Sequence, residues 1–147
     1  MQSLSMLLTF LVGAGLVLQI GFNAAVGRAL GGAIYGTLAN FIVGTIALST
    51  FFLVSRQAWP AREAMASIPV WAWLGGLCGA AYVAIATFAG PRLGALLLLA
   101  LTVGGQMVAS VVVDHYGLLG FPQHPITLTR VIGIALLLAG VWLVAAR

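Results

Sequence analysis

A chain of 147 residues that is 63% hydrophobic and only 5% charged, with a mean hydropathy of +1.18, lies far from a water-soluble domain, in which about 25% of residues are charged. Its six arginines stand against two acids, Glu63 and Asp114, and they fall in the gaps between apolar runs, so no basic surface is left to hold nucleic acid. The single cysteine, Cys78, excludes an intrachain disulfide and a metal cluster of the CxxC kind.

A membrane-spanning helix needs about 20 apolar residues, and five runs qualify. The first covers about residues 4–22 and continues as helix through "NAAVGRALGG" toward residue 30. It lacks the basic n-region of a secretory signal and is long enough to span, which predicts a retained helix. Gly15, Gln19, Asn23 and Gly27 recur on it every fourth residue. The second run, about 33–55, carries a matching ladder that begins just before it: Gly32, Gly36, Asn40 and Gly44. Ladders of small residues let another helix backbone approach closely, which is how helices associate in lipid without a bulk hydrophobic drive.

The loop "SRQAWPAREAMASIP" leads to the third run, about 70–89. Trp59, Trp71 and Trp73 bracket this loop, as amphipathic rings do at the headgroup level. Gly75 with Gly79, and Gly76 with Ala80, make further close-packing pairs, while Tyr82 and Thr87 are the polar groups of this span. "GPRLG" at 90–94 is expected to end it, since a glycine can take a positive φ and a proline cannot continue the helix. The fourth run, about 94–113, carries Thr102, Gln106 and Ser110, and Asp114 follows at the same i+4 spacing. That spacing makes one polar stripe drifting only about 40° per step. The fifth run covers about 130–146, with Thr127 or Thr129 placed to cap its first turn. The whole chain, 1–147, reads as one all-α integral membrane unit of five transmembrane helices.

The stripe on the fourth span either welds helices together or lines a wet path, and spacing does not separate the two. Gln19, Asn23, Asn40, Tyr82 and Thr87 are available to complete a polar cavity with it. Asp114, at the helix end, avoids the cost of a carboxylate at the bilayer centre. It can be solvated among headgroups, pair with an arginine such as Arg130, or exchange protons beside His115, so Asp114 and His115 are the candidates for ion coupling. His115 and His124 are too few for a metal site. With no nucleophile elbow, phosphate loop or hydrolytic acid pair, the residues predict neither enzymatic chemistry nor a cofactor.

If the spans cross alternately, Arg56, Arg62 and Arg130 share one face and Arg28, Arg92 and Arg147 the other. Lys/Arg bias sets orientation, so this tie gives no instruction, and copies inserted both ways are the expected result. Two oppositely inserted copies reproduce the inverted repeats of many secondary transporters.

The segments "LQIGFNAAVGRALGG", "FIVGT", "WAWLGGLCGAAYV", "PRLGA", "GQMVASVVVDHYGLLGFP" and "RVIGIALLLAGVWLV" together resemble the YdcZ-like family (DUF606) of the drug/metabolite transporter superfamily, over nearly the whole chain. The resemblance implies a five-helix protein of the bacterial inner membrane, in a family where some members look like dual-topology or oppositely oriented pairs and others like ten-helix fusions, so that this chain is expected to work as an antiparallel pair of identical chains or with an oppositely oriented paralogue. Its matching positions are Gln19, Asn23, Gly44, Trp73, Gly75, Gly76, Gly79, Tyr82, Gln106, Ser110, Asp114 and His115. Small multidrug resistance proteins of the same superfamily carry a glutamate on their first helix, where this chain has Gln19. A neutral, polar or zwitterionic substrate therefore fits better than a hydrophobic cation.

The combined expectation is a small secondary transporter whose substrate contacts come from Gln19, Asn23, Asn40, Trp73, Tyr82, Gln106 and Ser110. Gly32, Gly36, Gly44, Gly75, Gly76 and Gly79 would serve helix packing. The partners expected are the lipid bilayer, a second copy and a small-molecule substrate. A passive channel and a non-transporting assembly protein are the rival readings.

Overall fold

The computed structural model describes residues 2–146, and Arg147, counted above on one membrane face, lies outside them. The described chain is all-helical: α1 (Gln2–Leu30), α2 (Ala33–Val54), the short α3 (Arg62–Ala66), α4 (Leu74–Leu93), α5 (Ala95–Tyr116) and α6 (Leu128–Ala145), with 3₁₀ turns at Val70–Trp73 and Leu118–Gly120. Five segments are long and apolar enough to cross a membrane: Ser3–Leu30, Ala33–Val54, Val70–Leu93, Ala95–Tyr116 and Leu128–Ala145.

Two of the expected boundaries move, for identifiable reasons. The stop expected at Gly90–Pro91 falls later, because Pro91 is carried inside the last turn of α4. A proline there forfeits one hydrogen bond, to the carbonyl four residues back. The break comes instead at Gly94, whose φ of +79° is open to glycine and hostile to a residue with a Cβ. At the other end, Asp114 and His115 are drawn into the last turn of α5, which ends on the left-handed Gly117 (φ 61°). The first helix runs on to Leu30 as expected, and Thr127 is the residue that caps α6, accepting from the Arg130 amide at 3.4 Å.

The chain divides into two compact units, Met1–Arg92 and Leu93–Arg147. In the first, α1 turns into α2 through two glycines. Gly31 takes φ +90° and the Gly32 amide donates back to the Gly27 carbonyl at 2.8 Å, a Schellman closure that satisfies one of the carbonyls a helix end leaves orphaned. The two helices then run antiparallel with the i+4 ladders meeting step for step: Gln19 opposite Asn40, Asn23 opposite Gly36, and Gly27 opposite Gly32. In the second unit α5 packs on α6. There Gly104 is the close-approach position, where an added Cβ would lie 3.5 Å from Leu138 and 3.6 Å from Val141.

Little of the apolar surface is covered by protein. The buried apolar residues are Ile20, Ala24, Ala86 and Leu98, while side chains such as Phe10 and Val70 stand 75% and 86% exposed. Lipid tails are as apolar as leucine, so a bilayer protein has no need to hide such side chains.

Candidate functional site

Gln19 is held by the fourth-residue spacing on the face of α1 that meets α2, and its Nε2 donates to Asn40 Oδ1 at 2.8 Å. Both side chains are half-buried, whereas Asn23, one turn along α1, is 7% exposed. These three polar side chains, with Phe22, Val43 and Gly44, line a groove of about 330 Å³. The volume is at the low end for small-molecule sites, which span about 300–1,000 Å³. Gly44 contributes by leaving space, since a Cβ there would meet nothing within 4 Å. Gly36 does the opposite job: a Cβ on it would collide with the Asn23 carbonyl oxygen. The close crossing at Gly36 is thus what carries Asn40 within reach of Gln19.

The second unit holds the fourth-span stripe, and its members behave differently from one another. Thr102 and Ser110 turn their hydroxyls back on their own helix, donating to the Leu98 carbonyl at 2.9 Å and the Gln106 carbonyl at 2.6 Å. The Gln106 side chain is exposed. Asp114 is the member that reaches another helix, pairing through Oδ2 with Arg130 Nη1 at 3.2 Å. This pair, with Met107, Ser110, Val111 and Gly133, lines a groove of about 280 Å³.

Beyond α5 the chain folds back over the helix end. The His124 amide donates to the Asp114 carbonyl at 2.8 Å, and Gln123 Nε2 donates to the His115 carbonyl at 3.0 Å, so two carbonyls of the last turn find donors outside the helix. Arg130 Nη1 also reaches the His124 carbonyl at 3.4 Å, tying the returning loop to the ion pair. The His115 ring lies edge-on to Tyr116 at 4.8 Å, and its Nδ1 is buried with no hydrogen-bond partner among the described residues.

The remaining expected site residues are not gathered into either groove. Trp73 sits 62% exposed in the 3₁₀ turn that leads into α4, and Tyr82 is half-buried on α4. Gly75, Gly76 and Gly79 have open space where a Cβ would go, and Gly32 meets only the ring of Tyr35 in its own helix. Two positions that the sequence pattern does not mark are made important by the geometry. Met107 and Gly133 shape the groove at Asp114, and nothing in their local pattern marks them, because that groove is set by how α5 and α6 register.

Residues 4–143 match the family model described as "Putative inner membrane exporter, YdcZ". No curated protein and no solved structure matches the chain. The match spans nearly the whole sequence, agrees with the resemblance carried by the quoted motifs, and fits the five membrane-length helices. The chain therefore belongs to the YdcZ family and is a multi-pass protein of the inner membrane.

Proposed function

We infer that the chain is one half of a small secondary transporter, assembled as an antiparallel homodimer or with an oppositely oriented paralogue, that exports or exchanges a small polar or zwitterionic metabolite by alternating access. The observation that carries this reading is the groove beside the Gln19–Asn40 hydrogen bond, which leaves free volume bordered by Asn23 and reaching Val43 and Gly44 at the middle of α2. A pair serving only as mortar needs no such space. The polar surface of Gln106, exposed on a single chain, is where a second copy would find groups to bond. The unpartnered glycine faces of α4 would serve as sliding surfaces. Asp114 and His115 remain candidates for ion coupling, with the Arg130 pair as the element that responds. The reading assigns the chain no catalytic step and no cofactor.

The assembly-protein reading has two observations in its favour: Gln19 and Asn40 are bonded to each other, and Ser110 to its own helix. A panel of small metabolites screened by thermal shift on the purified protein supplies a substrate. Counterflow in reconstituted vesicles with Asn23→Leu then separates the readings. A carrier loses saturable countertransport while the dimer persists, whereas an assembly protein shows no countertransport at all. A passive channel gives flux without saturation or counterflow. Orientation is tested by single cysteines at Ala58 and Leu93, which lie on opposite faces if the spans alternate, in a Cys78→Ala background. Labelling of each position from one side alone, in every copy, removes the antiparallel homodimer.

A further inference from the structure

Where α1 ends, α2 begins and α4 ends, the first unit forms an open cavity of about 660 Å³. Its wall includes Arg28, Arg92, Thr87, Phe88, Gly32 and Ala33. Arg28 and Arg92 thus line one space, and neither makes an ion pair among the described residues. Of the two carboxylates in the sequence, Asp114 is engaged by Arg130, and Glu63 is not part of this wall.

Each arginine alone has an ordinary explanation, since a cation in the last turn of a helix complements the negative end of its dipole. That accounts for one arginine per helix and not for their place in the wall of one cavity. Arg92 is also pre-set: Nη1 donates to the Phe88 carbonyl at 2.6 Å and the guanidinium lies 3.7 Å from the Phe88 ring centroid. One of its five donors is consumed, and the rest of the fork is available.

Thr87 supplies an independent sign of a missing partner. It is 3% exposed, lines the cavity, and its Oγ1 is buried with no hydrogen-bond partner among the described residues. Two other threonines with little exposure bond the carbonyl four residues back, Thr37 to Ala33 at 3.1 Å and Thr102 to Leu98 at 2.9 Å. A buried hydroxyl left unmatched is uncommon, and each instance calls for a ligand, a water or a strain. The N-terminus of α2 also borders the cavity, with no side chain capping it, so its first-turn amides add a positive end to the same space.

We propose that this cavity binds an oxyanion, a phosphate or carboxylate group held between the Arg28 and Arg92 guanidiniums with the Thr87 hydroxyl donating to it. Planar guanidinium forks match both groups bidentately. The cavity lies at the level of the helix ends, where the group can belong to a free solute or to the headgroup of an anionic lipid. The site does not depend on the groove between Gln19 and Asn40.

The test uses the purified full-length protein in neutral detergent. Inorganic phosphate is titrated at constant ionic strength and followed by phosphorus NMR and thermal shift. In parallel, retention of phosphatidylglycerol over phosphatidylcholine is read by native mass spectrometry. Saturable binding of either probe is expected, with the dissociation constant raised at least about tenfold by R28Q or R92Q and about threefold to tenfold by T87V. R62Q should leave it unchanged. Phosphate binding identifies a free oxyanion, and phosphatidylglycerol retention without a phosphate response identifies a headgroup. R28K and R92K keep the charge at each helix end, so a folded variant with weakened bidentate binding is available if the glutamines unfold the protein. Absence of binding by both probes, or binding indifferent to all the Arg28 and Arg92 variants, overturns the site.

Discussion

Gly36→Ala adds one methyl group at the tightest point between α1 and α2. The new Cβ would collide with the Asn23 carbonyl oxygen and stand 2.9 Å from its carbonyl carbon and 3.2 Å from the Gly27 nitrogen. All three are backbone atoms, which cannot rotate away, so the helices must separate. Restoring even the carbonyl carbon to the 3.4 Å of ordinary contact requires about half an ångström, and the oxygen requires more. The Gln19–Asn40 bond lies one turn along the same seam at 2.8 Å, and a separation near 1 Å takes it past hydrogen-bonding reach. Overpacking of this kind costs about 1–3 kcal/mol. The lost interhelical bond adds about 0.6 kcal/mol, and the better helix propensity of alanine offsets up to about 1 kcal/mol. The net expectation is a loss of about 2 kcal/mol. Gly13→Ala on α1, where a Cβ meets nothing within 4 Å, is expected to be neutral or stabilising by up to about 1 kcal/mol. Reversible unfolding in mixed detergent, followed by tryptophan fluorescence, measures both. If Gly36→Ala falls within about 0.5 kcal/mol of Gly13→Ala, the close crossing of α1 and α2 is wrong.

A double-mutant cycle of Gln19→Leu and Asn40→Leu should give a coupling of about 0.6 kcal/mol, and no more than about 1.7 kcal/mol; a coupling near zero would mean that the two side chains do not bond. For Asp114→Asn with Arg130→Gln the coupling should be below about 1 kcal/mol and fall with added salt, because the side chains are 29% and 38% exposed and the pair is screened. A larger, salt-insensitive value would place the pair in a dry interior. Gly117→Ala forces a Cβ onto a left-handed residue (φ 61°) and to within 3.3 Å of the Gln123 Cβ. It should cost about 1 kcal/mol and speed amide exchange at His124, whereas unchanged exchange would show that the loop is not fastened to the end of α5.

Composition and run length alone determined that this is a five-span helical membrane protein, because twenty consecutive apolar residues have no other way to satisfy their backbone in lipid. The ladders on the first two spans were legible too, since i+4 spacing puts residues on one helix face whatever that face meets. Which ladder meets which, and in what register, was not: that Gln19 bonds Asn40 and that Gly36 abuts the Asn23 backbone depend on the turn at Gly31–Gly32, where two glycines fix how far α2 starts along α1. The stripe on α5 is the complementary case. Spacing aligned Thr102, Gln106, Ser110 and Asp114, but the hydroxyls bond their own helix while the carboxylate reaches Arg130 on α6. A one-dimensional pattern fixes the direction in which a side chain leaves its helix, and only the packing of helices determines whether a partner, lipid or open space receives it.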